Sequence, residues 1–316
     1  MDWRKCTIKE LEDLLFASSG TEIDEAMLEA LDNDERSGVQ KLLARYRTMV
    51  YEEKARRMRW EKMNEFSRKI YARGYRHIVG VDEAGRGPLA GPVVAAAVIL
   101  DPEEPIYGLD DSKKLTEKKR EELYEIIMDK ALAVAVGIVS NEVIDQVNIL
   151  QATFQAMNEA INKLSLTADY VLVDGNMEIP GLGIPQEAVI DGDLNVDAIA
   201  AASIIAKVTR DRILYKYHEL YPEYGFDRNK GYGTSEHIEA LKKYGPTPIH
   251  RYSYTIVNNY FFEKVKDNLI QAGNKEELRD IGQMIASYAL FSEENQALLR
   301  QIYRKKYLEV SVNSEQ

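Results

Sequence analysis

Apolar and polar positions along the chain change period at Gly74. Before it, Ile8, Leu11, Leu14 and Leu15 fall on one helical face behind Thr7, which predicts a capped amphipathic helix over residues 7 to 16. A second, acidic helix is expected over Glu22 to Leu31. From residue 39 to 72 the chain has no Gly or Pro and is rich in Arg, Lys, Glu and Met, the composition of one long basic helix.

After Gly74 the pattern becomes strand-like. Residues 79 to 81, 93 to 100 and 133 to 139 are rich in β-branched side chains between turn formers, so three strands are expected. Gly87-Pro-Leu-Ala-Gly-Pro92 is a short link that makes the first two antiparallel neighbours. Residues 117 to 129 and 143 to 164 have helical spacing, 170 to 173 and 188 to 190 are strand-like, and 196 to 220 form a long helix that stops before Pro222. Strands first, then alternation with helices, predict an α/β layered domain with a mixed β-sheet flanked by helices. Beyond Tyr252 an aromatic-rich link (Tyr254, Tyr260, Phe261, Phe262) leads to helices around 275 to 290 and 293 to 308, expected as an appended hairpin. The division is therefore a helical N-terminal extension over 1–74, a central α/β domain over 75–255 and a helical C-terminal extension over 256–316.

Composition narrows the setting. At 316 residues and 45% apolar content the chain can bury a full core. A single cysteine, Cys6, permits no intrachain disulfide, and the opening Met1-Asp-Trp-Arg-Lys has no apolar signal region. The longest apolar run, from Pro88, stops at Asp101-Pro102, short of the roughly 18 residues that a membrane span needs. A soluble, cytoplasmic monomer without membrane attachment is the expectation. Net charge is −11 but uneven: residues 1–40 carry 4 basic and 11 acidic groups, 41–74 carry 11 and 4, 75–261 carry 18 and 28, and 262–316 carry 8 and 9. An anionic partner would be met locally, and the basic helix is either a solvated face or an arm that follows a phosphate backbone.

The chemistry concentrates in acids next to glycines. Asp82 and Glu83 interrupt an apolar strand side by side, and because strand side chains alternate, they serve one site only if the strand ends or bends there. Gly85 and Gly87 give the freedom to do so. Asp174 follows Tyr-Val-Leu-Val, and Asp193 follows Ala-Val-Ile-Asp-Gly, so strand ends would deliver four acids. Each alone reads equally as a turn aspartate. Together they repel unless a cation compensates, and an all-oxygen donor set without Cys or clustered His favours Mg²⁺ or Mn²⁺ over Zn²⁺. Two such ions about 4 Å apart suit phosphoryl transfer. His77, His218, His237 and His250 are scattered and lack a nucleophilic Ser or Cys arrangement, while His250-Arg251 reads as a structural or phosphate-facing pair.

In order, the stretches Gly80-Val-Asp-Glu-Ala-Gly-Arg-Gly-Pro-Leu-Ala-Gly-Pro-Val-Val94, Asp111-Ser-Lys-Lys-Leu115, Tyr170-Val-Leu-Val-Asp-Gly-Asn176, Ala201-Ala-Ser-Ile-Ile-Ala-Lys-Val-Thr-Arg-Asp211, Lys230-Gly-Tyr-Gly-Thr234, Gly245-Pro-Thr247 and His250-Arg251 resemble bacterial ribonuclease HII over residues 75 to 255. The extensions lie outside this resemblance. The sister family, ribonuclease HIII, has another triplet where Gly85-Arg86-Gly87 stands. The resemblance implies a ribonuclease H-like fold, dependence on Mg²⁺ or Mn²⁺, and an endoribonuclease acting on RNA/DNA hybrids and on the 5′ side of ribonucleotides embedded in duplex DNA. It implies that Asp82, Glu83, Asp174 and Asp193 bind the metals, with Asp191 standing where the family has lysine and kept as the other candidate for the fourth ligand. Gly85, Arg86 and Gly87 would then sense the ribose, and Tyr232 would pack on the neighbouring deoxyribose. Lys113 and Lys114 would hold phosphates or form a surface turn. Ser203, Lys207 and Asp211 share a helix face, which would look toward the site with Lys207 near the scissile phosphate, or carry a Lys207–Asp211 ion pair. A non-catalytic binder of RNA/DNA hybrids on the same fold is the rival, disfavoured by an intact acidic quartet.

Overall fold

The computed structural model describes residues 3–17, 23, 25–288 and 290–313. They form two compact units, 1–62 and 63–316. In the first, α1 (Ile8–Ala17), α2 (Glu25–Asp32) and the start of α3 (Ser37–Ala72) bury Leu11, Leu15, Met27, Leu31, Val39 and Leu43. Thr7 and Glu10 form a reciprocal cap: the Thr7 N–H donates to Glu10 Oε2 at 2.7 Å, and the Glu10 N–H donates to Thr7 Oγ1 at 3.2 Å. The second helix starts at Glu25, and Glu22, where it was expected to begin, lies outside the described residues.

The second unit takes in the end of α3, then β1 (Ile78–Ala84), β2 (Val93–Ile99), α4 (Glu117–Lys130), β3 (Ala133–Val139), α5 (Asn141–Val147), α6 (Ile149–Asn162), β4 (Tyr170–Asp174), β5 (Gln186–Val189), α7 (Gly192–Asn195), α8 (Asp197–Leu220), α9 (Phe226–Asn229), α10 (Ser235–Tyr244), α11 (Thr255–Gln271), α12 (Lys275–Tyr288) and α13 (Glu293–Asn313). The sheet runs β3-β2-β1-β4-β5. The first three strands are antiparallel neighbours, and β4 and β5 join β1 in parallel. It is the mixed sheet that the strand-then-helix order predicts.

Alternation sends Val79, Val81, Ala95 and Ala97 to the α6 side of the sheet and Ala96 and Val98 to the α8 side. α8 begins as an alanine run, so its backbone comes very close to β1. A Cβ on Gly80 would lie 2.1 Å from the Ala198 carbonyl carbon, and only glycine admits that contact. Asp197, buried in the first turn of α8, accepts from Asn64 Nδ2 at 3.1 Å and Ser67 Oγ at 3.2 Å, both on α3. Burial pushes its carboxyl up to about 6, against the pull of the Ala198 N–H and Ser67.

Four expectations change. The helix expected over 143 to 164 is two: Asn148, at φ 69°, interrupts it, and its side chain accepts from the Leu150 and Gln151 N–H groups to restart the helix as α6. The aromatic link after Tyr252 is helix α11, because Val257, Phe261, Phe262, Val265 and Leu269 recur at helical spacing and are all buried. α10 was not foreseen, since its buried set is only His237, Ala240 and Leu241. Finally, α12 and α13 are more than a hairpin. With α11 they place Leu278, Phe291, Leu299 and Val310 in one apolar cluster with Leu214 of α8 and Leu241 of α10. Among the described residues no helix is long and apolar enough to cross a membrane.

Candidate active site

β1 does not end at its acids. It stays paired with β2 through Ala84, with Asp82 opposite Ala96 and Glu83 opposite Ala95, whereas its pairing with β4 stops at Val81 opposite Val173. The two carboxylates therefore stand on an edge that β4 has just left, with Asp174 at the end of β4 beside them. The bend comes later, at Gly85 with φ +99°. Asp193 also arrives differently from the expectation, on the helical turn α7 rather than at a strand terminus. The N–H groups of Gly192 and Asp193 donate to Asp174 Oδ1 at 2.8 and 3.4 Å, which fastens this turn to the end of β4. Asp193 is buried; Asp191 is exposed in a left-handed turn at φ 52°.

The charges of these groups are coupled. Burial, then Glu83 and Asp174, hold the Asp82 carboxyl well above its usual range, opposed by the Glu83 N–H and Ser203. Burial also raises Glu83, with Arg86 opposing at 3.4 Å and Asp174 adding to the rise. Asp174 is raised by burial against its two N–H donors and Lys113, and Asp193 is pushed up to about 6 by burial and by Asp174. Burial works to lower Lys113, yet Asp111, Asp82, Asp193 and Asp174 together hold its ammonium above the ordinary value. Lys113 in turn lowers Glu83. One lysine thus sits in the field of all four acids. Among the described residues no three His, Cys, Asp or Glu side chains form a ready metal cage. The donor set nonetheless fits a hard divalent cation, because it is all carboxylate oxygen and its mutual repulsion is what such a cation relieves.

A cleft of about 420 Å³ opens beside Asp82 and Glu83, lined also by Gly85, Arg86, Gly87, Ser112, Lys113, Ser203, Lys207 and Tyr232. Lys114 is exposed and is not among its lining residues. Tyr232, 46% exposed, flanks the glycine loop closely enough that a Cβ on Gly87 would stand 3.5 Å from its ring. On α8, Ser203 lies 2.8 Å from the Ser112 hydroxyl, and Lys207 both lines the cleft and pairs with Asp211 at 2.7 Å. That helix face therefore carries the ion pair and also borders the cleft, and burial lowers the Lys207 ammonium despite the pair.

Arg120 and His237 carry no isolated sequence signal, whereas the His250-Arg251 pair singled out in the sequence is buried in the core. Arg120 lines the cleft and approaches Asp211 at 3.9 Å. Arg210 and Arg251 are 1% and 0% exposed behind the glycine loop, and burial lowers both, Arg210 to about 10, which leaves them charged. His237 and His250, 13 residues apart, meet in the core, so these two histidines are not scattered. Arg210 stands three residues after Lys207 on α8, within the stretch from Ala201 to Asp211 that carries the family resemblance.

The sequence pattern of ribonuclease HII matches residues 79–257, and that of the ribonuclease HII N-terminal domain matches residues 7–71. The chain belongs to the ribonuclease HII family. The second match corrects the expectation that the N-terminal extension lies outside the family; the C-terminal region beyond residue 257 is covered by neither pattern. Ribonuclease HII of Bacillus subtilis (strain 168) is 49% identical over 254 residues, which cover 80% of this chain and 98% of the relative. That of Clostridioides difficile (strain 630) is 48% identical over 250 residues, 78% of this chain and 96% of the relative. Among solved structures, ribonuclease H2 from Pyrococcus horikoshii OT3 matches with a TM-score of 0.51 at 29% identity, covering 60% of this chain and 98% of that one. The ribonuclease HII of the Archaeoglobus fulgidus PCNA complex matches with 0.50 at 29%, covering 58% and 96%. As a ribonuclease HII the chain is a ribonuclease H endonuclease, a divalent-metal-dependent hydrolase of a family that acts on RNA/DNA hybrids.

Proposed function

We propose that this ribonuclease HII hydrolyses the phosphodiester on the 5′ side of a ribonucleotide embedded in duplex DNA, as well as RNA in RNA/DNA hybrids, and so starts ribonucleotide excision repair as a cytoplasmic monomer. Water adds to phosphorus, the bond to the 3′ oxygen of the preceding nucleotide breaks, and the products carry a 3′-hydroxyl and a 5′-phosphate. The observation that carries this reading is the position of Lys113 in the field of four acids beside a cleft that also holds Gly85-Arg86-Gly87 and Tyr232.

Asp82, Glu83, Asp174 and Asp193 would hold two Mg²⁺ or Mn²⁺ ions, Asp193 taking the fourth place because it is buried beside Asp174 whereas Asp191 faces solvent. Bound divalent ions supply Lewis acidity to the phosphate and activate water. Lys113 and Lys207, which line the cleft, flank the phosphate, Lys114 next to Lys113 in the chain adds charge from its exposed position, and Ser203 steadies Asp82. Arg86 and the backbone of Gly85 and Gly87 meet the 2′-hydroxyl, which alone separates RNA from DNA at such a site. Tyr232 offers its exposed ring to the next sugar. In this division residues 75–255 do the chemistry, 1–74 add duplex affinity, and 256–316 support the fold.

The test is a duplex with one ribonucleotide, incubated with Mg²⁺, Mn²⁺ or chelator, using the wild type and Asp82→Asn. A single nick 5′ to the ribonucleotide, abolished by chelator and by the substitution, is expected. Binding without cleavage would instead favour a hybrid-binding protein, and cutting of all-DNA duplexes would remove the ribose-sensing role.

A further inference from the structure

Arg251 spends all five of its N–H donors within the fold. Nε donates to the Gly91 carbonyl at 3.0 Å, Nη1 to the Arg86 carbonyl and the Tyr254 hydroxyl at 2.9 Å each, and Nη2 to the Gly85 carbonyl at 2.5 Å and the Pro92 carbonyl at 3.3 Å. The Tyr254 hydroxyl donates in turn to the Arg86 carbonyl at 2.7 Å. Beneath the same loop Arg210 donates to the carbonyls of Pro92, Lys230 and Ala90 at 2.9 to 3.0 Å. A Cβ on Gly85 would fall 2.1 Å from Arg210 Nε, so that glycine is also the space the arginine occupies. Neither guanidinium has an ion-pair partner among the described residues; both are bound by main-chain oxygens.

The peptide unit turns this into a statement about the cleft. In a trans peptide the C=O of one residue and the N–H of the next point in opposite directions, and the chain has no cis bond among its described residues. With the Gly85 and Arg86 carbonyls drawn inward to Arg251, the N–H groups of Arg86 and Gly87 face outward, and neither donates to a partner among the described residues. Two adjacent free N–H groups form a concavity for an anionic or hydroxyl oxygen.

We infer that Arg251, with Arg210 beneath it, is a positioning residue that locks the glycine–arginine–glycine loop with its N–H groups toward the substrate and thereby sets the preference for an isolated ribonucleotide. This rests on the proposed ribose-reading role of the loop. Arg210 extends the lock toward Tyr232 by holding the carbonyl of Lys230, two residues before that tyrosine in the chain.

The experiment measures kcat and KM for a duplex with a single ribonucleotide and for a continuous RNA/DNA hybrid, with wild type, Tyr254→Phe, Arg251→Lys and Arg210→Lys, each checked by thermal melting. Tyr254→Phe removes two hydrogen bonds from the lock, those to Arg251 and to the Arg86 carbonyl, and should lower kcat/KM on the single-ribonucleotide duplex about fivefold. Arg251→Lys replaces a planar fork by a point donor and should lower it about thirtyfold. Arg210→Lys should fall between them. In each variant the hybrid, which offers ribose at every step, should lose several-fold less. Equal losses on both substrates, or an unchanged preference in folded Tyr254→Phe, would overturn the inference; if Arg251→Lys does not fold, Tyr254→Phe decides. A wild type that leaves the single-ribonucleotide duplex whole would instead overturn the ribose-reading role itself.

Discussion

His237 Nε2 lies 2.9 Å from His250 Nε2, with both rings wholly buried. The Thr247 N–H donates to His250 Nδ1 at 2.9 Å, so the His250 proton sits on Nε2 and is given to His237, whose own Nδ1–H goes to the Tyr232 carbonyl at 3.0 Å. Two neutral imidazoles thus tie the Thr247 turn to the loop that carries the cleft tyrosine. Burial, and then His237, push His250 down to about 3, and burial lowers His237 as well. A base depressed in the fold is protonated more readily in the unfolded chain, so its stabilising contribution is complete above about pH 6.5 and is lost as pH falls from there toward 3. Thermal unfolding should show stability falling by about 1 kcal/mol per pH unit below pH 6 on account of His250, and His250→Gln should flatten that slope. An equal slope in the variant would refute the assignment.

Asp193 and Asp191 separate by their surroundings. Asp193, raised to about 6, is protonated below that pH and then competes with a cation for its own oxygens. Mn²⁺ titration calorimetry should show affinity dropping as pH falls through 6. Asp193→Asn should weaken binding about tenfold or more, while Asp191→Asn stays within about twofold of wild type. The reverse order would make Asp191 the ligand.

The exposed part of α3 offers charge without anchoring the fold. Residues 47–62 carry six basic and three acidic groups, whereas Met63, Asn64, Ser67 and Ile70 are buried. Replacing Lys54, Arg56 and Arg57 by glutamine should leave the site of cleavage unchanged and reduce the slope of log affinity against log salt by about 2. An unaltered slope would assign this helix a solvated face only.

Phe291 stacks on Phe261 with ring centroids 5.3 Å apart and meets Phe262 edge-on at 5.7 Å. Because that cluster continues to Leu214 and Leu241, Phe291→Ala should cost about 3–5 kcal/mol and lower one common unfolding transition. Calorimetry that instead resolves an early, separate transition for α12 and α13 would show an independent C-terminal module.

Local patterns determined a good deal by themselves. Continuous apolar runs gave β1 to β4 within a few residues, the Thr7 cap and the Gly- and Pro-free stretch gave α1 and α3, and acids beside glycines pointed to the carboxylates and the glycine loop, because strand burial, capping and turn chemistry act over neighbouring residues. Tertiary structure decided what depends on distant segments meeting. Asp193 rather than Asp191 is buried because α7 docks on Asp174; His237 meets His250 across α10; and Arg251 reaches back to carbonyls at Gly85 and Arg86, more than 160 residues earlier. A buried arginine or histidine is tolerated only when the fold supplies all its partners, and no periodicity along the chain records where those partners will be.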